Sequence, residues 1–352
     1  MSEKLIDEDL SVHALDLHRE AIVVDFHCDV VLATLPDSAY PIGGGGRRTL
    51  SETLSERSKE GRVDLPRLLE GGVDCQVFSH FVEPIYRPIA PFRMLQVLGY
   101  SYSEIEKNSD KLEIITDPEK IYFNHGKKIS VIIGFEGGEA IDEDLRLLRI
   151  FHRLGLRRLT LCWNNRNAIA DGVRWQRSGG GLTEFGASVV EECNRLGIIV
   201  DVSHITDRGF GDVVEVSRDP IVASHSNCRA LCPSMRNLTD DMIRAISEKK
   251  GVIGVNFAQF FLLDRKELES GKIPTVSTVV DHIDHIVEVT GSTDNIGLGS
   301  DFDGVPSVAQ GLEDVSKLPN LTKELISRGY SDQDIKKILG ENFIRIIRRV
   351  WK

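Results

Sequence analysis

The chain has 352 residues, enough for one large barrel with insertions. Its 54 acidic side chains outnumber the 43 basic ones, for a net charge of −11, and no basic stripe with interleaved aromatics occurs, which argues against a nucleic-acid partner. No apolar run reaches bilayer-spanning length, the opening Met-Ser-Glu-Lys-Leu-Ile lacks a secretory pattern, and the six cysteines show no CxxC pairing, so a cytoplasmic protein with reduced thiols and no membrane contact is expected.

Eight short apolar segments, most of them rich in Val and Ile, read as strands at 21–26, 73–79, 129–135, 158–162, 198–203, 220–224, 252–257 and 295–299. Helical periodicity fills stretches between them, among them 142–154, 183–196, 240–249 and 276–290. The run Pro-Ile-Gly-Gly-Gly-Gly-Arg-Arg at 41–48 is too flexible for a core and reads as a long loop on the active-site side. A second glycine-rich run at 178–181 reads as a mobile loop. Neither precedes Gly-Lys-Ser/Thr, which disfavours a phosphate cradle. Thr183, Thr239 and Ser331 read as helix N-caps, and Ser331 opens a final helix running toward Arg345–Arg349. Strands alternating with helices predict an α/β fold, a closed (β/α)8 TIM barrel formed by residues 1–352 as one domain. An open doubly wound sheet is the alternative, but no Gly-rich dinucleotide turn follows the first strand.

Six residues with metal-site chemistry stand where these strands run out. His27 and Asp29, in Val-Val-Asp-Phe-His-Cys-Asp, are two apart and face the same way on a strand, with Cys28 facing the other. Glu136, in Ile-Ile-Gly-Phe-Glu-Gly-Gly, has two oxygens with which to bridge two cations. His204 and His225 close consecutive strands in the same Ser-His context, so two imidazoles suit a second zinc-like ion. Asp301 ends Ile-Gly-Leu-Gly-Ser-Asp beside the first strand, placed to take a proton; it is preferred over Asp303 because it directly follows the apolar run. Each residue alone is compatible with a chance polar side chain or a helix-terminal acid. Coincidence over five strands is not an economical reading. His80 is the one ambiguous extra histidine, expected to be supporting or structural.

The chain resembles the renal (membrane) dipeptidases, the M19 metallopeptidases of the amidohydrolase-like barrels. The resemblance runs from about residue 21 to the end, on His-Cys-Asp, Glu-Gly-Gly, Gly-Leu-Thr-Glu-Phe-Gly, Asp-Val-Ser-His, Ser-His-Ser-Asn, Met-Arg-Asn-Leu and Gly-Ser-Asp-Phe-Asp-Gly-Val. It implies two zinc ions, one held by His27 and Asp29, the other by His204 and His225, with Glu136 bridging. It implies Asp301 as the catalytic acid/base beside a shared hydroxide, and Arg236 as a substrate-binding residue. The implied substrate is a dipeptide, with a D-residue tolerated at its C-terminal position, and the implied assembly is a homodimer. One position departs: where the family commonly has Leu-Thr-His-Ser, this chain has Leu-Thr-Leu-Cys-Trp, so Trp163 stands in the place of a substrate-binding histidine. Tryptophan offers one N–H donor and cannot be protonated. That departure leaves a second reading open, an amidohydrolase-type reaction on a non-peptide amide, lactone or phosphoester. A metal-dependent binding protein without catalysis is the third, disfavoured by the presence of Asp301.

Overall fold

A computed structural model describes residues 3–39 and 53–352 of the chain. The glycine-rich run at 41–48 lies outside the described residues. Among the described residues nine parallel strands form: β1 Val23–Cys28, β2 Val73–Phe81, β3 Leu112–Ile114, β4 Ile129–Glu136, β5 Leu156–Thr160, β6 Ile199–Asp201, β7 Ile221–Ala223, β8 Val252–Val255 and β9 Ile296–Leu298. They pair in the order β2-β1-β9-β8-β7-β6-β5-β4, and β2 pairs with β4 to close the ring. Eight of them are the expected barrel. The ninth, β3, lies beside the start of β4, with Leu112 opposite Ile129; β5 takes over that edge of β4 from Ile133 onward. Three residues carry too little periodicity to announce a strand.

The barrel strands are buried throughout, as a parallel sheet wrapped in helices requires, and this explains why they read as continuous apolar runs. The interior has its own apolar floor, where Val24, Phe26, Val77, Ile132, Ile199, Val222 and Val252 meet the C-terminal helix. That helix begins at Asp332–Lys336, passes through a π-turn at Lys337–Glu341 and ends as Asn342–Val350. Phe343 stacks on Phe26, ring centroids 3.8 Å apart. Close approach needs glycine twice here. A Cβ at Gly340 would lie 2.1 Å from the Ile22 carbonyl oxygen, and one at Gly297 would lie 2.3 Å from the Phe343 ring.

Thr183, Thr239 and Ser331 cap their helices through side-chain oxygens that accept from Gly186, Met242 and Asp334 amides. The stretch expected from 142 begins later, at Leu145–Arg153, because Asp142 and Glu143 adopt left-handed backbone (φ 44° and 56°) and Asp144 becomes the cap. The 178–181 run is more ordered than a free loop. The Gly180 carbonyl accepts from Thr206 Oγ1, and a Cβ at Gly181 would strike the Asp212 carboxylate. All six cysteines are buried and unpaired. No described helix is long and apolar enough to cross a membrane.

Candidate active site

The carboxyl ends of the strands bring the six residues together. The β1–β2 register shifts between Asp25 and Cys28. Phe26 therefore joins the floor while His27, its neighbour, sits above with Nδ1 3.1 Å from Ser79 Oγ. Cys28 turns away, its Sγ toward the Val77 carbonyl, as expected. Asp29 is not a strand residue. It lies past the end of β1 at the start of the short helix Val30–Thr34, yet its Oδ2 comes within 3.4 Å of His27 Nε2.

Glu136 is the last residue of β4 and reaches both sides of the cluster. Its Oε2 is 3.9 Å from His27 Nε2; its Oε1 is 2.9 Å from His204 Nε2 and 3.8 Å from His225 Nε2. The Nε2 atoms of His204 and His225 face each other at 2.8 Å. Asp301 Oδ1 is 3.8 Å from His27 Nε2, and its Oδ2 accepts from Asn256 Nδ2. Asp303 accepts from the amides of Arg62 and Val63. His204 and Asp301 have positive φ (71° and 60°), a conformation costing about 1–3 kcal/mol for such residues and held only by its surroundings. Gly304 leaves the necessary room: a Cβ there would lie 2.1 Å from Asp29 Oδ2 and 2.5 Å from Asp301 Oδ1.

The chemistry of this donor set fits divalent cations. All six side chains are buried. Burial pushes the three imidazoles toward the neutral form, His204 down to about 4. Burial, reinforced by Asp29 and Glu136 against the pull of His27, pushes the Asp301 carboxyl up to about 7. Asn164 Oδ1 lies 2.8 Å from His204 Nδ1 and is an acceptor for a hydrogen on that nitrogen. His27 Nε2 is buried with no hydrogen-bond partner among the described residues. Lone pairs and carboxylates crowded in this way repel unless positive charge lies between them. Two overlapping trios, His27–Glu136–His225 and His27–Asp29–Asp301, have ligand atoms close enough to share an ion. Nitrogen and carboxylate donors in such groups suit zinc and related ions.

A cleft of about 220 Å³ opens above the cluster, walled by Leu32, Phe81, Trp163, Phe260 and Phe261. Residues 12–352 match the model of the membrane dipeptidase family, peptidase family M19. The chain belongs to that family. It is a hydrolase of the metallo-dipeptidase type, and divalent metal is the family's cofactor class. It is 34% identical over 356 residues to Dipeptidase 3 of Homo sapiens, covering 98% of this chain and 68% of that protein. It is 35% identical over 302 residues to Dipeptidase tcpJ of Claviceps purpurea, covering 82% and 69%. A Rhodobacter sphaeroides metallopeptidase, solved with a phosphinate mimic of the dipeptide L-Ala-D-Ala, superposes with a TM-score of 0.83 at 31% identity, covering 94% of this chain and 100% of that one.

Within this M19 chain, Trp163 lines the cleft between the ring of Phe81, 5.2 Å away edge-on, and the Arg174 guanidinium, 5.3 Å over its face. Arg236 is buried beside the cleft and is not part of its wall. It donates to Ser226 Oγ and the His225 carbonyl, and it lines a small adjoining cavity with His204. His80 points to the Phe78 and Gly134 carbonyls, a structural role. Sequence reading missed the layer between floor and cluster. There Arg158 and Asp201 form a fully buried ion pair at 2.6 Å, and Asp25 holds Ser300 through its amide and hydroxyl. The available signal was parity. Arg158 and Asp201 occupy inward positions of their strands, where an unpaired charge has no place.

Proposed function

We propose that this chain hydrolyses dipeptides at a binuclear centre, with zinc the best-suited ion. His27 and Asp29 would hold one ion, His204 and His225 the other, with Glu136 within reach of both. The observation that carries the proposal is the reach of Glu136, whose two oxygens address the two histidine groups separately. Bound at these donors, the cations would acidify a shared water and polarise the scissile carbonyl. Asp301 accepts the proton at Oδ1, the oxygen left open by Asn256, and delivers it to the leaving amine. The apolar walls of the cleft accept apolar side chains. Arg236 adds positive charge behind His225, where it favours negative charge developing on the substrate. The L-Ala-D-Ala mimic bound by the Rhodobacter relative supports tolerance of a D-residue at the C-terminal position.

Trp163 favours a second reading, a non-peptide amide, lactone or phosphoester substrate, because it gives the wall an apolar face where the resemblance implies a histidine. A panel of L,L- and L,D-dipeptides, N-acyl amino acids, lactones and phosphoesters, assayed with zinc-loaded protein, separates the readings. Turnover of L,D-dipeptides above all other classes is expected. Turnover confined to lactones or phosphoesters would overturn the dipeptidase proposal.

A further inference from the structure

The buried ion pair beneath the cluster reaches one of its histidines through a single hydroxyl. Asp201 Oδ2 receives Arg158 Nη1 at 2.6 Å, Ser224 Oγ at 2.6 Å and Thr160 Oγ1 at 2.5 Å. Its Oδ1 receives the amides of Ser203 and Ser224. Both members of the pair are fully buried. Burial alone would raise the Asp201 carboxyl, but Arg158 and the surrounding donors outweigh it and keep the group ionised.

Ser224 has one hydroxyl hydrogen. An ionised oxygen 2.6 Å from Ser224 Oγ requires that hydrogen between them, since two facing lone pairs at this distance repel. Ser224 Oγ is also 2.7 Å from His225 Nδ1. Toward that nitrogen it has only a lone pair left to offer, so Nδ1 must carry the ring hydrogen. In a neutral imidazole the lone pair then resides on Nε2, the atom that faces His204 and Glu136.

We infer that Arg158, Asp201 and Ser224 form a tautomer lock that keeps His225 Nε2 unprotonated before any cation arrives. The three are positioning residues: none touches substrate or cation, and they act through His225. The lock answers a problem that any neutral histidine ligand poses. A neutral imidazole is free to carry its hydrogen on either nitrogen, and the Nε2–H form would block the donor set. A carboxylate bonded directly to Nδ1 would do the same work. Here the serine relays the constraint from an ion pair that lies deeper in the barrel.

The inference rests on the reading of His225 as a ligand, but its first readout needs neither metal nor turnover. Long-range ¹H–¹⁵N correlation spectra of histidine-labelled, metal-free protein distinguish the two tautomers, and His225 is assigned by its loss in H225Q. The Nδ1–H form is expected in the wild type at neutral pH. In Ser224→Ala, which removes a single oxygen, and in Asp201→Asn, the signal should shift toward a mixture. Zinc affinity of these variants, measured by chelator competition, should fall roughly 10- to 100-fold. An Nε2–H wild type, or a Ser224→Ala protein with unchanged tautomer and zinc affinity, would overturn the lock. A wild type that is Nδ1–H yet cleaves no dipeptide would leave the lock standing and remove only the functional proposal.

Discussion

At Asp301 one oxygen is tied to Asn256 and the other faces the cation donors. Asp301→Asn preserves the volume and a hydrogen bond to Asn256 but removes the proton acceptor. We predict a fall in kcat of about 10²- to 10⁴-fold, read by dipeptide turnover, with metal content near wild type by elemental analysis. Equal loss of metal would make Asp301 a ligand instead. Gly304→Ala tests the crowding around the same carboxylates. The added Cβ has no room beside Asp29 and Asp301, so zinc affinity should drop while the melting temperature of the metal-free protein moves little. At this scale the sequence was highly legible. His27, Glu136, His204, His225 and Asp301 were readable because each follows an apolar run that fixes its place at a strand end. Asp29 was found for a partly wrong reason, since it lies beyond the strand and reaches the cluster through the turn into Val30–Thr34. Asn164 and Asn256 gave no signal, because an amide acquires its role only from the partner that the fold sets opposite it.

Among the elements, the helix Val276–Thr290 was legible to its ends, but the role of His282 within it was not. The His282 ring is wedged against the next element: Nδ1 accepts from the Cys228 amide and Nε2 donates to the Leu262 carbonyl. Burial pushes its pKa down to about 4. The unfolded chain, titrating near the ordinary 6.5, then binds more protons than the folded one as pH falls below that value. His282 thus favours the fold fully above about 6.5, and that contribution fades as pH drops toward 4. Between pH 7 and 5 the loss should be about 2 kcal/mol, read from urea unfolding. His282→Gln, which can accept and donate but does not titrate, should remove this share of the pH dependence and leave that of His80 and the other buried histidines. An unchanged pH profile in that variant would contradict the assignment. β3 and the late start of Leu145–Arg153 were illegible for local reasons, a three-residue strand and two left-handed residues that periodicity does not register.

The whole molecule is an interior in three levels: an apolar floor plugged by the C-terminal helix, a polar layer centred on Arg158 and Asp201, and the cation donors at the open end. Strand alternation predicted the barrel, yet it did not predict that the last helix closes the floor, since a helix's apolar face does not name its target. Phe343→Ala removes the ring stacked on Phe26 and should cost about 3–5 kcal/mol in urea unfolding, while protein that remains folded keeps its metal stoichiometry. A loss below about 1 kcal/mol would mean the floor repacks without the plug. The upper level carries the functional account, and it is tested most directly by anomalous diffraction at the zinc edge from crystals of zinc-loaded protein. Two peaks flanking Glu136 are expected, one beside His27 and Asp29, the other beside His204 and His225. A single peak, or none within reach of Glu136, would contradict it.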